Sequence, residues 1–160
     1  MRLSLCFVRL SSYAETVLRE IHDMADEVEL FFASRDISKA RQYCQTYGGS
    51  DPFVSYEEAM HDQSVEAVYF LTPHHLHLEN AQMAARYSKH VLMEKSIAHT
   101  LNQSRDVMRA ADQAGIRLMV AENYRFLPAV DRYKKIIAAS ETGALRLVQI
   151  QVERRSTFTD

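Results

Sequence analysis

Two apolar runs in the middle of the chain each stop abruptly in residues that can do chemistry. Ala67-Val-Tyr-Phe-Leu71 breaks into Thr72-Pro73-His74-His75-Leu76-His77, and His90-Val-Leu-Met93 breaks into Glu94-Lys95-Ser96. An ammonium placed like Lys95 can hold a polarised oxygen, lower the cost of negative charge developing there, or donate a proton. The plainer reading of Glu94-Lys95 is a surface ion pair, worth roughly 0–1 kcal/mol. Position at the end of a strand favours chemistry. His74, His75 and His77 could chelate, but a metal site needs a further ligand from elsewhere and support behind the ligands. No Cys, His or Glu spacing supplies these, so no metal is expected.

Such residues need a scaffold that aligns strand ends, and the chain supplies one. Apolar runs predict strands over Leu3–Val8, Val28–Ala33, Ala67–Leu71, His90–Met93 and Ile116–Ala121. Helical periodicity fills the gaps: Tyr13–Ala25, Ile37–Tyr47 stopping at Gly48-Gly49, a short helix over Ser55–His61, Leu76–Tyr87, and a helix from Thr100 to near Gly115. Ser55-x-x-Glu58 and Ser12-x-x-Glu15 have the capping-box spacing, and Thr100-x-x-Gln103 caps in the same way. Strands alternating with helices predict an α/β, doubly wound parallel sheet, whose carboxyl edge is where such folds bind ligands. Ser34, Thr72, Glu94 and Asn123 should all lie near that edge.

Nucleotide chemistry at that edge has two further signals. NAD-preferring sites end the second strand in an acidic residue that holds the ribose hydroxyls, and NADP-preferring sites use an arginine for the 2′-phosphate. Ser34-Arg35 fits the second, while Asp36 is placed to cap the next helix. Against this, the turn after the first strand reads Arg9-Leu10-Ser11-Ser12, and there is no glycine before Gly48. Dinucleotide folds use glycines there for the tight turn, the close approach of the pyrophosphate and the packing of helix on sheet. A side chain forced to positive φ there costs about 1–2 kcal/mol. Arg9 could instead pair directly with phosphate oxygens. A solvated turn residue is the plainer reading, because a lone basic residue is a weak signal.

These motifs resemble the Gfo/Idh/MocA oxidoreductases, the glucose–fructose oxidoreductase and inositol dehydrogenase family. The family's T-P-N-x-x-H turn reads Thr72-Pro73-His74-His75-Leu76-His77 here, with His74 replacing asparagine, and its E-K-P motif reads Glu94-Lys95-Ser96. Glu122-Asn-Tyr-Arg-Phe-Leu-Pro128 looks like the segment joining the family's two domains. The resemblance implies a Rossmann-like domain in which Lys95 contacts the nicotinamide region and the substrate oxygen, oriented by Glu94. It places Leu71, Thr72, Pro73, His74 and His77 along the cofactor's path, with Asn123 and Arg125 in the cleft; the residues themselves also allow His77 to cap or pack at the start of the following helix. The implied reaction is hydride transfer between NADP(H), with NAD(H) second, and a hydroxyl-bearing carbon of a sugar, polyol or related small molecule. The alternative is a non-catalytic binding module that has kept the fold and lost the dinucleotide, which the glycine-free turn favours.

The 160 residues, 47% apolar and 25% charged, suit a well-buried globular unit. A net charge of −2 gives no support for binding nucleic acid or an anionic membrane. Cys6 and Cys44 show neither metal nor redox spacing, the first residues make no signal peptide, and no run is long enough to span a bilayer. A cytoplasmic protein is the expectation. Residues 1–124 form the expected nucleotide domain, and 125–160 a connecting helix opened by Pro128 and the first strand of a truncated or absent second domain. The alternating run from Leu145 to Val152 is that strand. Unpaired, it should seek a second copy of the chain, giving a homo-oligomer. The family's general acid comes from the second domain, so the isolated chain should lack turnover.

Overall fold

The computed structural model describes residues 2–50, 52–139, 143–144, 146–147 and 149. They fall into two units, the first running to Glu122 and the second beginning at Asn123.

The first unit contains β1 (Leu3–Val8), α1 (Ser12–Ile21), β2 (Val28–Ala33), α2 (Ile37–Tyr47), α3 (Tyr56–His61), β3 (Ala67–Phe70), α4 (His77–Arg86), β4 (His90–Met93), α5 (Leu101–Ala114) and β5 (Leu118–Val120). The five strands pair in the order β2-β1-β3-β4-β5, every pair parallel. On the outer side of β2, Phe53 makes a single parallel bridge to Ala33, so a sixth strand is present in its shortest form. Counting that bridge as the third strand gives the 3-2-1-4-5-6 order of dinucleotide-binding folds.

Successive strand residues face opposite sides, and both sides are covered by helices. Cys6, Val8, Val68, Phe70, Val91 and Met93 pack with Ala81, Ala84 and Val107 on one face. Leu5, Phe7, Phe32 and Tyr69 pack with Ala14, Leu18, Ala40 and Tyr43 on the other. Burial on both faces is why these strands read as continuous apolar runs. Burying each of Phe7, Phe32 and Phe70 contributes roughly 1.5–3 kcal/mol. Cys6 lies in this core, and burial pushes its thiol far above the ordinary range.

Register matters most for function. Val8 lies opposite Ala33 and Phe70, Phe70 opposite Met93, and Met93 opposite Val120. Four of the strands therefore stop level with β1. The ladder continues one step further through Leu71 N–H to Val8 O at 3.2 Å, Glu94 N–H to Phe70 O at 3.1 Å and Ala121 N–H to Met93 O at 2.8 Å. Arg9, Ser34, Leu71 and Glu94 are consequently neighbours along one carboxyl edge.

Several local expectations change. The Ser12-x-x-Glu15 capping box does not form: Ser11 is the N-cap of α1, without a side-chain cap bond. Ser12 is already helical, and the Glu15 carboxylate accepts from the Tyr43 hydroxyl at 3.2 Å instead. The helix expected over Tyr13–Ala25 ends at Ile21 and continues as a 3-10 turn, and His74–Leu76 is likewise a 3-10 turn before α4. The last strand of the sheet covers Leu118–Val120 alone. Other caps form as read: Asp36 accepts from Ser38 and Lys39, Ser55 from Glu58, and Thr100 from Gln103.

The second unit contains a 3-10 turn over Asn123–Phe126 and α6 (Pro128–Ala138), with proline in its first turn as expected and an Asp131–Lys135 ion pair at 2.7 Å. The strand expected over 145–152 falls mostly on residues outside those described.

Gly49, just beyond the left-handed Gly48 that ends α2, marks a close approach. A Cβ on Gly49 would sit 2.4 Å from the buried Phe32 ring and 3.2 Å from the Leu30 carbonyl oxygen. Gly49→Ala should therefore destabilise the chain by about 1–3 kcal/mol, seen as a lower urea midpoint with an unchanged slope.

Candidate functional site

The turn leaving β1 keeps a conformation that its composition hides. Arg9 has φ +71°, the left-handed value for which dinucleotide folds use their first glycine. Ser11 takes the second glycine position, and Ala14, completely buried in the first turn of α1, takes the third, where alanine also serves. This substitution pattern is legible only once the left-handed residue is located. The exposed Arg9 side chain directs Nη1 toward the Leu71 carbonyl at 3.5 Å, spanning from the end of β1 to the end of β3. Connections leave these two strands in opposite directions across the sheet, which makes the gap between them the topological switch point. The turn thus keeps the backbone course and the small third residue that a pyrophosphate site requires, and adds a cation. The residues of this turn are therefore compatible with a dinucleotide.

At the end of β2, Ser34 is buried and its hydroxyl accepts from Asp36 N–H at 3.1 Å. Arg35 stands exposed just beyond the strand end.

Glu94 and Lys95 follow β4. The Tyr69 hydroxyl donates to Glu94 Oε1 at 2.5 Å, so a side chain from the interior face of β3 holds the carboxylate. Burial and this carboxylate together push the Tyr69 phenol far above its usual range, and burial with Glu94 also raises Tyr13. Lys95 itself is exposed. Neither tyrosine is a candidate from sequence, where Tyr69 is one aromatic in an apolar run. A phenol inside an otherwise apolar strand, with a carboxylate motif at the end of the neighbouring strand, is the signal to look for.

The histidines divide. His74, exposed, places Nε2 3.0 Å from Nδ1 of His99, a partner from beyond β4. His75 is exposed. His77, expected along the cofactor's path, is completely buried, and both ring nitrogens are engaged: Nδ1 with the Ser96 carbonyl at 2.8 Å and Nε2 with the Thr72 carbonyl at 2.9 Å. Asn80 Nδ2 donates to Thr72 Oγ1 at 2.6 Å. Among the described residues no group of three or more His, Cys, Asp or Glu is arranged to hold a metal. Asn123 and Arg125 are exposed in the second unit's 3-10 turn. A cavity of about 760 Å³ opens at the opposite, amino edge, lined by Arg2, Leu18, Arg19, Met24, Val28 and Tyr47 among others, away from all of these groups.

The sequence model of the Gfo/Idh/MocA oxidoreductase family, NAD-binding Rossmann fold, matches residues 10–122. The chain belongs to this family. Its similarity extends to a trans-1,2-dihydrobenzene-1,2-diol dehydrogenase from Sus scrofa, 32% identical over 88% of this chain and 42% of the relative. It extends also to a D-xylose 1-dehydrogenase (NADP(+)) from Haloferax volcanii, 35% identical over 71% of this chain and 34% of the relative. An oxidoreductase of known structure from Thermotoga maritima superimposes with a TM-score of 0.83 at 26% identity, covering 89% of this chain and 45% of that one. The chain thus spans less than half the length of these relatives. Family membership accounts for the order of the motifs at the carboxyl edge, and a nicotinamide dinucleotide is the cofactor type of this domain. No helix among the described residues is long and apolar enough to cross a membrane.

Two outcomes follow from this geometry. Arg9→Gly relieves the positive φ whereas Arg9→Ala retains it, so the glycine variant should be the more stable by about 1 kcal/mol in chemical denaturation. The Tyr43 phenol is pushed up to about 12 by burial and its bond to Glu15. Tyr43 and Tyr69 thus keep their protons in the folded chain where unfolded tyrosine, near pH 10, loses them. Their contribution is complete below about pH 10 and is lost as pH rises through the folded values. Tyr69→Phe should flatten that alkaline loss in melting curves taken between about pH 9 and pH 12.

Proposed function

We propose that the chain is the nucleotide-binding part of an NADP-dependent oxidoreductase that moves hydride to or from a hydroxyl-bearing carbon of a sugar, polyol or related small diol. The observation that carries this reading is the Glu94–Lys95 pair, level with the switch point and with Glu94 anchored by Tyr69. Family membership and this retained pair favour an enzyme over a non-catalytic binding module. The names of the diol and xylose dehydrogenases among its relatives supply the substrate class.

The bound dinucleotide supplies the hydride donor or acceptor. The Lys95 ammonium stabilises negative charge on the substrate oxygen and passes a proton at its Nζ, while Glu94 orients the amine. Arg9 pairs with pyrophosphate oxygens, and Arg35, beside Ser34, with the 2′-phosphate. Leu71, Thr72, Pro73 and His74 line the nucleotide's course, and Asn123 and Arg125 belong to the substrate side. Positioning of the substrate and a general acid are assigned to a further domain of the kind that completes the longer relatives.

Titration of the chain with NADPH and with NADH, followed by nicotinamide fluorescence, tests the cofactor reading. NADPH should bind about tenfold more tightly, and Arg35→Ala should bring the two affinities within about twofold, through loss of one charged phosphate contact. Equal binding of both by the unaltered chain would refute the NADP assignment.

A further inference from the structure

We propose that His77 is the positioning residue of this site: completely buried, it joins the carbonyl of Thr72 after β3 to the carbonyl of Ser96 after β4, and so fixes the backbone that carries Lys95. This deepens the reading of Lys95 given above and rests on it.

The geometry suits one side chain well. Thr72 lies five residues before His77 and Ser96 nineteen after it, so the two carbonyls belong to different loops. The imidazole is a rigid ring with a nitrogen on either side, each within reach of one carbonyl oxygen, and a nitrogen that carries a proton donates to the oxygen facing it. A glutamine carries both of its N–H donors on one nitrogen, which cannot occupy the two places that the ring nitrogens hold. His77 opens α4, so its own backbone is fixed by the helix, and Asn80 one turn later grips the Thr72 hydroxyl from the same helix face. Leaving the buried Thr72 carbonyl unpaired is unfavourable, so that loop cannot leave the ring without loss.

Lys95 is exposed, and its long side chain has many rotamers of its own. What the protein can fix is the peptide on either side. Before it, Glu94 is held through its N–H to the Phe70 carbonyl and through its carboxylate to Tyr69. After it, Ser96 is held by His77. Small displacements of a catalytic amine cost large factors in rate, so anchoring both flanks is functionally significant. His77 has no exposed surface from which to touch cofactor or substrate, and its influence passes through the loops alone.

The oxidised nicotinamide ring carries a positive charge and the reduced ring does not, so an ammonium held beside it disfavours NADP⁺ relative to NADPH. The ratio of the two dissociation constants, NADP⁺ over NADPH, therefore reports the placement of Lys95 in the 160-residue chain. Lys95→Met should lower that ratio by about threefold or more. His77→Gln, checked for folding by circular dichroism, should lower it in the same direction, and the double variant should fall no further than Lys95→Met alone. A folded His77→Gln that weakens both forms equally would show a merely structural histidine and overturn the proposal. A Lys95→Met variant with an unchanged ratio would overturn the Lys95 reading, and the proposal with it. The unaltered chain gives a second measurement should the histidine variants fail to fold. The amides of Leu76 and Glu94 should exchange with deuterium as one cooperative unit, and independent opening of the two loops would refute the clamp.

Discussion

Level termination of parallel strands is the constraint on which this molecule depends. Hydrogen-bonded register puts Val8, Ala33, Phe70, Met93 and Val120 in line, and the next residue of each strand inherits that alignment. Arg9, Ser34, Leu71 and Glu94 come from positions scattered over more than half the chain, yet the ladder leaves them no freedom to be elsewhere. A one-residue slip of β4 would turn Met93 out of the core and move Glu94 away from Tyr69, so the packing of the sheet and the chemistry at its edge stand or fall together.

That edge is also where order gives way to reach. Below it, side chains are buried and their polar groups paired: Tyr69 with Glu94, His77 with two carbonyls, Asn80 with Thr72. Above it, Arg9, Arg35, His74 and Lys95 are exposed. The long flexible cations among them, Arg9, Arg35 and Lys95, thus stand on short loops, an arrangement that holds the bases of the side chains while leaving their ends able to follow a ligand. A pre-organised supporting layer of this kind limits how much order must be gained on binding.

Much of this was legible in the amino-acid pattern because burial on both faces demands continuous apolar runs, and the ends of those runs announce Thr72, Glu94 and Ser34. Other features were not. The absence of glycine counted against a dinucleotide site, yet Arg9 adopts the left-handed conformation that the first glycine of such a site takes. The spacing pointed to Ser12 as the cap of α1, whereas Ser11 takes that place and Glu15 is engaged by Tyr43, distant in sequence. That His77 packs at the start of α4 was legible, but not that its ring meets the Ser96 carbonyl, which comes from across two elements. Local pattern reports which face a residue occupies. It does not report which distant polar atom meets it there.

The single bridge at Phe53 has a consequence for life in a crowded solution. An outermost strand normally presents a row of unpaired peptide groups that can recruit a second molecule into the sheet. Here Ser50 N–H reaches the Leu30 carbonyl, Phe53 N–H the Phe32 carbonyl, and Ser34 N–H the Phe53 carbonyl. The segment is too short to be a good template itself, yet it occupies outward groups of β2 that another chain would need. The side of the sheet that carries Ser34 and Arg35 is in this way guarded against fibre-like stacking by a strand that has almost ceased to be one.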